Sequence, residues 1–444
     1  MTTDGSSLGV KRDKLREGPP ASAARPHSDP APNCPPAKAL ISPAAPITPV
    51  RGAPVRWKML LTMRWLPSYL WQRVVRSAPS GHVHLMIALA DHFEPSIVPN
   101  DGRARAPHEE QERRLDSWCR DYPLLLDKWR DSDGHPFKHT YFYPGEQYDK
   151  GLLERLTFHC EAGWGEIEIH LHHGAETPDT EENTRRQLLG FRNVLASDHG
   201  CLSYLDGAGP PRYAFVHGNF ALANSAAGLH CGVDSEMQVL AETGCYADMT
   251  LPPGRFHPAQ IAKINSLYEC YPPLHRGGAH RHGQDLQAGR SPQVFPLMVE
   301  GPLMLRFYSP DGHQSLSIDN ASLTSRDPAD LRRLQLWKKA AISIKGRPNW
   351  LFIKLQCHGM DPRDKDAVLG AQLETFLGEL IGGAAGRRET LHFVSAREMV
   401  NIILAACDGR EGNPGDYRDY RLKRVRTRSV QNTSTETTTI AAKG

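Results

Sequence analysis

GEIEIHLHHG, residues 165–174, is the stretch from which the fold reads. Ile167, Ile169 and Leu171 alternate with Glu166, Glu168, His170 and His172, the period of a strand with one packed face and one polar face. The strand ends in His170, His172 and His173, three imidazoles within four positions, directly downstream of Trp164. Neutral imidazole is the commonest metal ligand and suits first-row divalent ions. The strand end therefore predicts a bound divalent metal, zinc first, with cobalt or manganese next. The plain alternative is a solvent-facing end whose histidines bond water.

Working outward, strand-like runs recur at 82–90, 137–144, 212–218, 245–252, 350–359 and 391–395. Helical periods at 109–129, 180–195, 327–344 and 367–381 separate most of them. Strands alternating with helices imply a parallel sheet with crossover helices. About seven such units predict an α/β fold, a distorted (β/α) barrel of about seven parallel strands, with disordered N- and C-terminal tails. Segment 271–293, rich in Gly, His and Arg, reads as a mobile loop. Segment 296–308 reads as antiparallel strands outside the barrel.

The chain has 444 residues and 39% hydrophobic content, enough for a large core. Residues 1–56 hold eleven prolines and no aromatic residue, which leaves too little apolar surface to offset ordering. The expected organisation is a disordered Pro-rich segment (1–56), an apolar and basic helical lead-in (57–80), the barrel (81–407), and a disordered basic, Ser/Thr-rich tail (408–444). The lead-in, with Lys58, Arg64, Pro67 and Arg73, is too short and charged to span a bilayer; it suits a helix packed across the barrel first, and peripheral membrane contact second. A net charge of +3 gives no reason to expect nucleic acid. Nine cysteines without any CxxC resemble neither a disulfide framework nor a zinc ribbon. With no secretory signal in the sequence as given, this favours a cytoplasmic location.

In a parallel barrel the chemistry gathers where strands end. These ends supply Asp91, His92 and Glu94, then Tyr143 and Glu146, the histidine trio, His217 and Asn219, Asp248, and finally His358. Singly, each has an ordinary structural role open to it, such as a cap, a turn or a satisfied core histidine. Their agreement in position points to a site.

ALADHFEP (88–95), GEIEIHLHHG (165–174), YAFVHGNFALANS (213–225), TGCYADMTLP (243–252) and FIKLQCHG (352–359), in this order, resemble the successive motifs of the polysaccharide deacetylase family, the carbohydrate esterases related to chitooligosaccharide deacetylases. The resemblance implies Asp91 as catalytic base and His92 as metal ligand, in place of the family's aspartate. It also implies His170 as a further ligand, with His173 or His172 beside it, and His358 as the acid serving the leaving amine. Tyr143, His217, Asn219 and Asp248 are then the expected substrate-binding residues. The implied activity is metal-dependent removal of acetyl groups from an amino-sugar glycan.

Three alternatives stand beside it. A glycoside hydrolase would need two carboxylates flanking the sugar bond, drawn from Asp91, Asp248 and Glu300. The barrel could also persist as an inactive glycan-binding module. Lastly, His82 and His84 form an HxH pair like that of metal-dependent amidohydrolases, but they precede the apolar run and should lie at the opposite rim.

Overall fold

The computed structural model describes residues 63–425 apart from 77–78, 80, 103, 227, 255–256 and 309–313. The segment 1–56 and the end of the tail, 426–444, lie outside the described residues. Fourteen strands are described: β1 Val83–His92, β2 His139–Pro144, β3 Gly165–Leu171, β4 Ser203–Leu205, β5 Ala208–His217, β6 Cys245–Asp248, β7 Leu267–Cys270, β8 Gly283–Asp285, β9 Leu297–Val299, β10 Met304–Arg306, β11 Ser317–Asp319, β12 Trp350–Cys357, β13 Glu389–Phe393 and β14 Leu422–Arg424. The helices are α1 Leu66–Val75, α2 His108–Leu126, α3 Lys150–His159, α4 Glu181–Ser197, α5 Glu236–Thr243, α6 Leu331–Ala340, α7 Lys365–Val368, α8 Ala371–Gly383 and α9 Ala396–Cys407.

The main sheet is mostly parallel and runs β12-β1-β2-β3-β5-β6-β9-β7-β8. Strand β1 also pairs in parallel with β13 over Val83–Ile87, then with β2 over Leu89–His92. Segment 296–308 is divided: β9 joins the main sheet beside β6, and only β10 pairs apart from it, with β11.

Strand alternation sorts the side chains onto two faces. Leu85, Ile87 and Leu89 of β1, Tyr141 and Tyr143 of β2, and Ile167, Ile169 and Leu171 of β3 pack under α2, α3 and α4 through Trp118, Tyr122, Leu156 and Leu188. The opposite face carries Met86, Ala88 and Ala90 and is covered by α9, every residue of which is buried. Its polar residues do not face solvent: Arg397 pairs with Glu166, Glu398 with Lys138, and Asn401 donates to the Arg418 carbonyl.

The polar residues of β3 are largely structural. Glu166 pairs with buried Arg397 of α9 (Nη2 to Oε1, 2.7 Å). Glu168 accepts the Ala214 N–H at 2.6 Å and the Tyr246 hydroxyl. Only His170 carries that face into the candidate site.

Two expectations are corrected. The tail expected to be disordered is ordered as far as Val425: Arg418 is buried against Asp131 (2.6 Å) and donates to the Phe393 carbonyl, and β14 pairs with β4, while Lys423 and Arg424 stay exposed. The buried Asp131 recruits Arg418, which composition alone does not reveal. Segment 271–293 is also ordered, with β8 paired to β7 and the His280 carbonyl accepting the buried Tyr268 hydroxyl at 2.5 Å.

In α1, Pro67 sits in the first turn, where its missing N–H costs nothing. Trp65, just before it, and Tyr69 are buried, while Leu70, Trp71, Val74 and Val75 are exposed. Among the described residues, no helix is long and apolar enough to cross a membrane.

Candidate metal centre

His92 is the last residue of β1 and Glu94 lies two positions on, so both return to the face opposite Asp91 and Phe93. His170, near the end of β3, arrives on the same face from two strands away, across β2. One ligand atom from each of His92, Glu94 and His170 lies within 4.8 Å of the others. The His92 ring stands 5.1 Å from that of His170 and 4.8 Å from that of His358, which follows β12. The His172 ring is 4.5 Å from His170, and its Nε2 is 3.8 Å from Glu94 Oε1. His92 and His170 are buried, whereas Glu94, His172 and His358 keep partial access to solvent.

The tautomers follow from the partners. His170 Nδ1 lies 2.8 Å from the Val216 carbonyl, which can only accept, so Nδ1 carries a proton and Nε2 is turned toward Glu94 Oε1, 3.4 Å away. That Nε2 has no hydrogen-bond partner, and neither has His92 Nε2. Buried polar atoms are nearly always paired, so two orphaned imidazole nitrogens beside a carboxylate fit a cation. His172 donates from Nδ1 to Glu146 Oε1 at 2.7 Å, which turns its Nε2 toward Glu94. Carboxylates and carbonyls behind ligand histidines are the usual outer shell of a metal site.

The charges agree with this arrangement. Burial works against the Glu94 carboxylate, but His172 and His170 outweigh it and hold its pKa down at about 2. Burial pushes the His92 pKa well below its ordinary value, helped by His358 and His170, so the ring stays neutral and able to ligate. For His172, burial opposes the charged form, yet Glu146 and Glu94 raise its pKa to about 9.

The other expected site residues fall elsewhere. Asp91 is fully buried on the helix-covered face, accepting from the Gly359 N–H at 2.6 Å and lying 2.9 Å from His139 Nδ1. It is turned away from His92, because consecutive strand residues point to opposite faces. Tyr143 is buried on that same face, its hydroxyl 3.3 Å from the Gln147 carbonyl. Asp248 is buried and accepts from the Thr250 hydroxyl at 2.8 Å, with burial raising its pKa to about 7. Asn219 lies in a left-handed turn (φ 55°) next to Phe220, whose ring is 5.7 Å from His92. His173 and His217 leave the rim for a second cluster with Glu236. Asp91, Asp248 and Glu300 are all buried, so none presents a carboxylate to an external sugar. His84 lies at the other end of β1, stacked on His392.

Glu94 was visible in the sequence as a rim residue without a role; the alternation that places His92 also places it. Glu236, Cys231 and His280 carried no such signal, since they come from a helix start, an irregular loop and a short turn.

No protein-family model matches the chain, and no curated protein matches it.

Proposed function

We propose that this protein is a metal-dependent hydrolase that removes acetyl groups from an amino-sugar glycan, built on a distorted (β/α) barrel. The observation that carries the reading is the pair of unpartnered Nε2 atoms of His92 and His170 beside the Glu94 carboxylate. Two histidines and one carboxylate are the donor set of a catalytic zinc site that keeps a position open. When bound there, a divalent cation, zinc first, supplies polarisation of a carbonyl and acidification of water.

His92, His170 and Glu94 would hold the ion. His172, tied through its Nδ1–H to Glu146, and His358 are the imidazoles placed to hold or move a proton beside it. Asp91 is not in reach for the role of base. Phe220, against His92, offers an apolar wall for a sugar ring. The order of the five motifs supports the deacetylase reading. On β12, Lys354 donates to the Met249 carbonyl at 2.8 Å and Gln356 to that of Pro252 at 3.1 Å. These bonds beyond the end of β6 support a sheet curled toward closure. The exposed apolar face of α1 supports peripheral contact with a membrane surface.

The test is metal content by mass spectrometry, paired with acetate release from N-acetylated chitooligosaccharides. Rim metal and zinc-dependent acetate release, both lost in a His92→Ala/His170→Ala variant, are expected. Equal metal content in that variant and the wild type after zinc reconstitution would overturn the site; acetate release that survives chelation would overturn the reaction.

A further inference from the structure

We propose a second metal site, a closed structural zinc centre formed by His173, His217, Cys231 and Glu236, which no part of the deacetylase reading requires. The four come from just beyond β3, the end of β5, the loop after it and the first residue of α5. All are buried, and one ligand atom from each lies within 4.8 Å of the others. Glu236 Oε1 is 2.9 Å from His173 Nε2 and 3.4 Å from His217 Nε2, and its Oε2 is 3.5 Å from Cys231 Sγ. Tetrahedral zinc with bonds of about 2.0–2.3 Å sets its donor atoms about 3.3–3.8 Å apart. The Glu236 oxygens stand near those spacings from the other three donors, and the full set closes within 4.8 Å.

Each histidine presents the right nitrogen. His217 donates from Nδ1 to the Gly218 carbonyl, which leaves a fully buried Nε2 with no hydrogen-bond partner. His173 Nδ1 lies 3.1 Å from Asp179 Oδ2, itself held by Asn183 and Thr184, so that Nε2 faces inward. A carboxylate behind a histidine is the arrangement that orients and strengthens a zinc ligand. One thiolate and one carboxylate balance the charge of a divalent ion, and sulfur in the set favours zinc over magnesium or calcium. His280 is fully buried with neither ring nitrogen partnered, and lies close enough to feel the charges of Glu236 and His217.

The loop supplies a reason for the site. Between β5 and α5, Asn219, Phe220, Ala223, Asn224 and His230 all have positive φ, between 48° and 60°. Such conformations cost free energy and persist only when their surroundings hold them. Gly174 lies so close to this loop that a Cβ there would stand 2.1 Å from the Cys231 carbonyl oxygen. A zinc ion would tie the loop to β3, β5 and α5, and through Phe220 would steady one wall of the rim.

Cobalt(II) replaces zinc in such sites and reports a thiolate ligand by a near-ultraviolet charge-transfer band. The full chain, loaded with cobalt, should show that band. Cys231→Ser should abolish it and remove one metal per chain, while Cys357→Ser and His92→Ala/His170→Ala should leave it in place. Absence of the band at saturating cobalt, or its survival in Cys231→Ser, would overturn the proposal. Should Cys231→Ser not fold, X-ray absorption at the zinc edge of the His92→Ala/His170→Ala variant, which would hold zinc at this centre alone, decides: one sulfur at about 2.3 Å is expected, and a shell of nitrogen and oxygen alone overturns the site. Because the band follows Cys231 and not His92, this centre and the rim centre can fail separately.

Discussion

The two ends of β1 both carry histidines, and they treat them differently. At the start, His82 Nε2 lies 2.7 Å from the Thr390 hydroxyl, His84 Nδ1 lies 3.0 Å from His392 Nε2, and His392 Nδ1 donates to Asp133 at 2.7 Å. None of these rings has a buried nitrogen left over. At the far end, His92 and His170 each keep one. A histidine cluster whose lone pairs are already used is structure; one whose lone pairs converge on a carboxylate and on nothing else has room for an ion. Residue type alone, HxH against HxHH, does not separate the two.

The comparison can be broken most directly at the rim. His92→Ala/His170→Ala removes two of three proposed ligands and should weaken metal binding there by more than about 100-fold, since loss of even an outer-shell partner costs about 10–100-fold. Equilibrium dialysis against zinc measures it. Glu146→Gln keeps the shape behind His172 but loses the charge; with His172 a proton carrier and not a ligand, rim metal affinity should change by less than about 10-fold. A larger loss would put His172 among the ligands.

The start of the strand should answer to pH instead. Burial, then His392 and His82, lower the His84 pKa from 6.5 to about 4. The folded state therefore binds fewer protons than the unfolded one between those values. Its contribution to stability is complete above 6.5 and declines as pH falls toward 4. Urea midpoints at pH 7 and pH 5 should differ less in His84→Gln than in the wild type. The smallest effect is on metal: His84→Ala should leave the metal content unchanged, and a loss would erase the distinction between the two ends.

Much of the fold was legible because strand alternation survives in the sequence. Each of the seven stretches read as strands overlaps a described strand, and the helices at 109–129 and 180–195 fall within a few residues of α2 and α4. The run at 367–381 is divided into α7 and α8 around Leu369 and Gly370. Helix α9 was open to detection, since Ser395 and Glu398 form a capping box at its start; what the sequence does not show is that its polar residues Arg397, Glu398 and Asn401 are buried in pairings. In the site, His92 and His170 were legible from position. Asp91 was misplaced because motif order outweighed the alternation that sends it to the other face. His173 was grouped with His170 by proximity in sequence, yet it turns toward Asp179 and Glu236, whose closeness arises only in three dimensions.

The pairing of β1 also has a consequence in time. Its partners β12 and β13 are made on the order of 250 residues later, and synthesis proceeds at about 5–20 residues per second. For roughly 10–50 s after it is made, this apolar strand has none of its final neighbours on the β12 edge. Pairings so distant in sequence are slow to form and leave strand edges open to other chains. The strand that ends in His92 is the first of the sheet to be made and among the last to be enclosed.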